Sequence, residues 1–271
     1  MILFETIAVA FAMFSAVPVP QFEWNEKNMR YALCAFPLVG AVIGLLCMAA
    51  ESLCLRLGAP AILKGAILCL IPVRVTGGIH LDGYADTCDA LASHADPAGK
   101  QKILADPHIG SFAVIRLCGY FVLMTAVWTV LSENWPAAAA HAGGLGQWIL
   151  QGIDGLPVLL RFCLSRTLSG LAVASFPLAK DTGLAHTFAS AADKSRVRKV
   201  LILFNVLLSA GMCSCGLEGM LAAAGCHAVY AFYYRLCRKA FGGLSGDLAG
   251  WFLIQAEKWM LIILLVCEWI V

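Results

Sequence analysis

Long apolar runs recur along this 271-residue chain and restrict the folds it can adopt. An α-helix rises 1.5 Å per residue, so about 20 apolar residues are needed to cross roughly 30 Å of hydrocarbon. Candidate segments lie at residues 2–17, 31–55, 59–75, 109–131, 148–176, 200–215, 219–234 and 251–271. The chain is 61% hydrophobic and only 13% charged, so it has too few polar side chains to coat a soluble globule. The sequence predicts an all-α, polytopic transmembrane bundle of about seven or eight helices, in one domain over residues 1–271.

Basic residues indicate how the bundle is oriented. They cluster in three stretches that we assign to loops: Lys100 and Lys102; Lys194, Arg196, Arg198 and Lys199; and Arg235, Arg238 and Lys239. By the positive-inside tendency these loops face the cytoplasm. Residues 77–108 and 235–250 are therefore expected on one cytoplasmic side. Ordinary solvated loops would have the same composition, and nothing in it implies a nucleic-acid partner.

The stretch "GGIHLDGYADTCDALAS", residues 77–93, places three acids in this apolar chain. At 100° per residue, Asp82, Asp86 and Asp89 fall within an arc of about 60° on one helical face. Like charges so close repel one another, and an unpaired Asp at bilayer depth costs on the order of 3 kcal/mol. A divalent cation resolves both costs, and hard oxygen ligands suit Mg²⁺ or Mn²⁺. The alternative is a solvated loop or helix start.

The residues just before these acids are typical of an anion site. Gly77 and Gly78 let the backbone approach an anion closely and leave amides free to bind it. His80 is a candidate hydrogen-bond donor to a phosphate, or else a structural hydrogen-bonding group.

Two further polar segments follow. "ILADPHIGSF", residues 103–112, contains Asp106, and "FGGLSGDLAG", residues 241–250, contains Asp247, with Glu257 ten residues later. Taken alone, the segment favours a helix N-cap as the role of Asp247.

Two arginines lie inside an apolar run. Arg161 and Arg166 occur in "PVLLRFCLSRTLSG", where an isolated guanidinium is costly, and with Pro157 they predict a broken span. Either they bind a substrate phosphate or they pair with an acid inside the bundle. Lys180, like Arg116, is a weaker candidate for phosphate, because a long side chain near a helix end can reach water.

Together these stretches resemble the cobalamin synthase family, the adenosylcobinamide-GDP ribazoletransferases. The resemblance rests on "TGGIHLDGYADTCDAL", "ILADPHIGSFAVI" and "GGLSGDLAG" with Glu257, and on "FSAVPVP", "FPLVGAVIGLL" and "FPLAKDTGLAHTF" in family order. It covers most of the chain. One departure is Leu81, where the family usually has Glu between the His and the first Asp.

The resemblance implies an enzyme that joins adenosylcobinamide-GDP to α-ribazole, or its 5′-phosphate, and releases GMP. It implies Mg²⁺ as cofactor, held by carboxylates among Asp82, Asp86, Asp89, Asp106 and Asp247. It also implies a bacterial inner membrane location with the active site on the cytoplasmic side. Membrane lipid is an expected partner, and the sequence is compatible with a homo-oligomer.

Other function classes share some of these features. Membrane prenyltransferases and CDP-alcohol phosphotransferases also use carboxylate-held metal, but the chain lacks a clear DDxxD or NDxxDxxxD run and a DGxxAR motif followed by GxxxDxxxD. A cation-coupled transporter would place acids within the membrane, usually in paired broken helices of corresponding halves, and no such symmetry is visible. An inert membrane scaffold leaves the acids unexplained.

Overall fold

The computed structural model describes residues 1–134 and 155–270, and these ranges fold as a helical bundle. The helices before the gap are α1 Ile2–Phe14, α2 Glu26–Met29, α3 Ala32–Arg56, α4 Ala61–Thr76, α5 Ile79–Ala92, α6 Pro97–Ile103 and α7 Ser111–Asn134. Those after it are α8 Leu156–Ser175, α9 Leu184–Ala191, α10 Lys194–Ser214, α11 Leu217–Ala240 and α12 Gly246–Ile270. Over these ranges extended pairing is limited to one isolated bridge, Leu178 with Leu244.

The apolar runs predicted from the sequence correspond to long helices. In the described ranges, five helices (α3, α7, α8, α10 and α12) are long and apolar enough to cross a membrane, and the bent pair α4–α5 adds a sixth if it is one span. The prediction of a polytopic all-α bundle is confirmed. Residues 148–154 of the fifth predicted segment lie outside the described residues.

Three details of the prediction are wrong. Helix α8 runs unbroken through Arg161 and Arg166. It begins at Leu156, so Pro157 lies in its first turn, where the missing N–H has no intrahelical partner to lose, and the predicted break at Pro157 falls at the edge of the described residues. The basic residues 194–199 and 235–239 lie on the first turns of α10 and the last turns of α11 rather than in loops. Lys100 and Lys102 lie on α6.

The core is centred on α3, α8 and α12. Helices α3 and α8 pack closely because Gly40 and Gly44 on α3 face the α8 backbone, where an added Cβ would come within 2.3 Å of Phe162 O and 2.6 Å of Leu159 Cα. Helices α7 and α10 lie at the outside and expose most of their apolar side chains. This arrangement leaves the first turns of α3, α5 and α12 and the last turns of α4 and α8 at one end of the bundle.

At the opposite end of the bundle, a buried ion pair and a hydrogen bond connect α3, α4 and α7. Lys64 on α4 donates to Glu51 Oε1 on α3 at 3.3 Å and to the Ser132 carbonyl on α7 at 2.8 Å, and all three residues are buried. Because neither charge has water to solvate it, each one requires the other. Lys64 and Glu51 were not among the residues predicted to pair.

Candidate functional site

Helix α5 presents the three aspartates as predicted, on a helix covering Ile79–Ala92. Its direction is set by Gly77 and Gly78, which adopt positive φ angles of 65° and 84°. This left-handed backbone ends α4, turns the chain by 96° and starts α5, and glycine adopts it without the steric cost that a side chain brings. The pair therefore forms a helix bend. Its predicted role as an anion cradle stays a prediction.

Close packing of α5 against α12 brings Asp247 to the α5 acids. A Cβ on Gly83 would lie 2.7 Å from Asp247 Cα, and a Cβ on Gly250 would lie 2.8 Å from the His80 carbonyl oxygen. The two helices thus touch backbone to backbone at one crossing. Residues 77–108 and 235–250 accordingly lie at the same end of the bundle, where Gln101 Nε2 also donates to the Phe241 carbonyl at 3.0 Å.

The four acids differ in what they contact. Asp86 lies within electrostatic range of Asp82, Asp89 and Asp247, so the four carboxylates form one negative cluster. Asp82 is exposed, whereas the other three are half-buried. Asp89 accepts hydrogen bonds from the amides of Gly110 at 2.5 Å and Ala113 at 2.8 Å, and it thereby caps the start of α7 from a neighbouring helix.

Asp247 is not the N-cap of α12. Ser245 holds that position and accepts the Leu248 amide at 3.3 Å. Asp247 lies in the first turn, where the helix dipole favours a negative charge. Its Oδ2 accepts a long hydrogen bond of 3.4 Å from Ser245 Oγ. The capping alternative therefore fails, and the Asp247 carboxylate remains available for a ligand.

The segment that carries Lys180 is attached to the start of α12. The Ala179 amide donates to the Leu244 carbonyl at 2.9 Å, and the Leu244 amide donates to the Pro177 carbonyl at 2.8 Å. Lys180 is exposed and lies within electrostatic range of Asp247. This places one cation beside the acids.

A cavity of about 320 Å³ opens beside the cluster. His80, Asp82, Ser169 and Asp247 are the polar residues of its lining, and apolar residues from α1, α3, α5, α8, α9 and α12 form the rest. Leu81 is buried and lies outside the lining, so the departure from the family pattern at that position removes nothing from the cavity wall.

Both buried arginines have partners inside the bundle, and Arg166 pairs with an acid as the internal-pairing alternative predicts. Arg166 forms a salt bridge with Glu257, whose Oε1 also accepts from Ser165 Oγ at 2.9 Å. Arg161 donates to the Glu257 carbonyl at 2.9 Å and lies over the Trp128 ring at 4.8 Å. Neither arginine lines the cavity. A phosphate-binding role for Arg161 or Arg166 and a substrate-binding role for Glu257 stay predictions.

Asp106 lies in the loop before α7 and does not line the cavity. It accepts hydrogen bonds from the His108 amide at 2.9 Å and from the His108 ring at 2.7 Å. These hydrogen bonds hold the pKa of the Asp106 carboxyl below its ordinary value. Its predicted role as a metal ligand stays a prediction.

The donor set fits a cation that is shared with phosphate. Over the described ranges, no three His, Cys, Asp or Glu side chains come close enough to form a complete protein-only metal site. Mg²⁺ is commonly held by one or two carboxylates, with substrate phosphates and water completing its coordination. Asp82 and Asp247 at the cavity, with Asp86 behind them, meet that requirement.

Fold and site together define a multi-pass helical membrane protein with a carboxylate-lined cavity at one end of its bundle. A sequence model described as cobalamin-5-phosphate synthase matches residues 6–265. The chain belongs to the cobalamin-5-phosphate synthase family.

Named relatives give the enzyme class. The chain is 38% identical over 257 residues to the adenosylcobinamide-GDP ribazoletransferase of Lachnoclostridium phytofermentans, covering 93% of this chain and 90% of that protein. Proteins with the same name from Clostridium botulinum and a Geobacillus species are each 28% identical to this chain. The Clostridium alignment covers 94% of this chain and 94% of the relative, and the Geobacillus alignment covers 91% and 89%. No solved structure is significantly similar. The chain is therefore a transferase, and the transporter and scaffold alternatives are set aside.

Proposed function

We propose that this transferase joins adenosylcobinamide-GDP to α-ribazole, or to its 5′-phosphate, and releases GMP. The observation that carries the proposal is the meeting of α5 and α12, which puts Asp82 and Asp247 on the wall of one cavity. Relatives that align with this chain over almost their whole length carry the name of that reaction.

The proposed reaction is phosphoryl transfer. A ribose hydroxyl of the acceptor attacks the phosphorus nearer the cobinamide, a new P–O bond forms, and the bond to the GMP oxygen breaks. The hydroxyl proton goes to a carboxylate at the cavity, and Asp247 is our candidate because its charge is not used in capping. Asp82, with Asp86 behind it, would hold Mg²⁺, which when bound neutralises charge on the diphosphate, and Asp247 stays free to take the proton. Lys180 adds a positive charge at the same edge.

We further propose that the cavity end faces the cytoplasm of a bacterial inner membrane. The basic turns of α10 and α11 lie at this end, and so does Arg30, which donates to Asp193 at 2.9 Å. Hydrogen bonds from the Arg196 amide and from Arg30 hold the pKa of Asp193 below its ordinary value. Single cysteines placed at Lys100 and Lys239 should resist an impermeant thiol reagent in intact cells, and labelling of either from outside would reverse the orientation.

The activity test uses the purified chain in liposomes with Mg²⁺, adenosylcobinamide-GDP and α-ribazole. Mass spectrometry should detect GMP and a cobalamin product in equal amounts. A reaction without α-ribazole is the control, because it separates transfer from hydrolysis of the diphosphate. If folded protein yields no GMP with both substrates present, the proposal is wrong.

A further inference from the structure

Most of the cavity wall is apolar, and part of it is aromatic. Phosphates bind to charged and polar groups, so the proposed reaction gives this wall no role in phosphate binding. Phe14 on α1 lies against Phe36 on α3 and Phe188 on α9, with ring centroids 4.3 and 5.2 Å apart. All three rings line the cavity. A wall of this kind is suited to a flat, apolar group, because aromatic rings gain from stacked or edge contacts as well as from burial.

One polar atom on this wall is buried without a partner. His80 is 9% exposed, and its Nε2 makes no hydrogen bond to any described residue. Leaving such a nitrogen unpaired costs about 1–3 kcal/mol. His80 also lines the cavity, but through other atoms, so Nε2 reaches a ligand there only when the imidazole ring turns toward it.

The size of the cavity selects among the groups that the reaction brings together. About 320 Å³ lies at the lower end of the roughly 300–1,000 Å³ typical of small-molecule sites. A corrin macrocycle is too large for it. Guanine is flat enough to stack on the phenylalanines, but its edge carries carbonyl, amide and amino groups that a largely apolar wall would leave without hydrogen-bond partners. A nucleoside with a substituted benzimidazole base has the right shape and polarity.

We infer that this cavity binds the acceptor nucleoside, with its base against Phe14, Phe36 and Phe188 and its ribose at Asp82 and Asp247. On binding, the His80 ring turns so that Nε2 pairs with the free ring nitrogen of the base or with a ribose hydroxyl. The attacking hydroxyl then lies next to the carboxylates, while the diphosphate substrate approaches from the acidic side. This inference rests on the proposed function and assigns one of its two substrates to the apolar cavity.

The first test fills the cavity. Ala185 on α9 lines it and is half-buried, so Ala185→Phe should occupy the base position. The KM for α-ribazole should rise about tenfold or more, with the KM for adenosylcobinamide-GDP unchanged. Equilibrium dialysis of α-ribazole should show the same loss of binding without turnover. Ala224→Phe, on the exposed face of α11, is the matched control and should change neither constant.

The second test removes the polar partner. His80→Leu should raise the KM for α-ribazole about threefold to tenfold, and His80→Gln, which keeps a hydrogen-bonding group, should recover part of that loss. Unchanged α-ribazole binding in both Ala185→Phe and His80→Leu overturns the inference. A second outcome also overturns it: if Ala185→Phe loses co-purified lipid but still binds α-ribazole, the cavity holds lipid instead of the nucleoside. Absence of GMP release from the wild-type chain refutes the proposed function instead, and dialysis still reports on the cavity.

Discussion

Replacing Gly83 with alanine tests whether the α5–α12 crossing sets the site. The new Cβ would lie 2.7 Å from Asp247 Cα and 2.8 Å from its carbonyl oxygen, whereas ordinary contacts begin at 3.4 Å. The helices must therefore separate by about 0.7 Å at this point. Both contacts are backbone atoms, so no side-chain rotation can relieve them.

Two effects should follow from this separation. Overpacking of this kind costs about 1–3 kcal/mol of stability. Displacement of Asp247 from Asp82 should reduce turnover by about 10²-fold, because misplacing catalytic groups by about 1 Å has that effect. Gly250→Ala should act in the same way, since its Cβ would lie 2.8 Å from the His80 carbonyl oxygen.

The assay is GMP release, measured together with thermal unfolding in detergent. Gly119→Ala is the matched control, because Gly119 lies on the exposed face of α7 with nothing within 4 Å of an added Cβ. That control should keep full activity and gain up to about 1 kcal/mol of stability from helix propensity. Wild-type turnover in Gly83→Ala would refute the claim that this contact positions the acids.

Two further predictions concern the cation and the buried ion pair. Chelation of divalent cations should abolish GMP release, added Mg²⁺ should restore it, and activity that persists in excess chelator would remove Mg²⁺ from the proposal. Glu257→Gln leaves Arg166 buried without a carboxylate, so it should lower the free energy of unfolding by about 3 kcal/mol in a denaturant titration. The exposed Glu133→Gln is its control, and equal stability of the two variants would contradict a structural role for the pair.

The helices could be predicted from the sequence because burial in lipid leaves a direct mark on composition. Apolar runs of sufficient length specify spans, and the 3.6-residue period places Asp82, Asp86 and Asp89 on one face without knowledge of any neighbour. The membrane bundle was predicted correctly on these grounds, and the family was predicted correctly from the resemblance of the motifs at residues 77–93, 103–112 and 241–250. The roles of individual site residues and of Mg²⁺ remain predictions.

The contacts that assemble the site depend on tertiary packing, which local patterns do not encode. Nothing near Gly250 indicates that it meets His80, and a choice between Ser245 and Asp247 as the cap requires the backbone itself. The acid that pairs with Arg166 is 91 residues away. No motif predicts that Lys64 pairs with Glu51. The sequence does show two opposite charges inside neighbouring apolar runs, and that pattern could have indicated an ion pair.

The cavity was also beyond reach of sequence analysis. Its aromatic wall combines Phe14, Phe36 and Phe188 from three helices, and each of these residues alone resembles an ordinary core phenylalanine. The only advance sign was His80, a polar residue beside the acids whose two interpretations the sequence could not separate.

The central claim is that Asp82 on α5 and Asp247 on α12 act as one catalytic unit, and a double-mutant cycle tests it most directly. GMP release is measured for Asp82→Asn, Asp247→Asn and the double variant, with unfolding monitored to show that each one folds. Each single change should cost on the order of 10²-fold or more, and the double variant should be little worse than the poorer single one. Losses that multiply in the double variant, or wild-type turnover in either single variant, would contradict the claim.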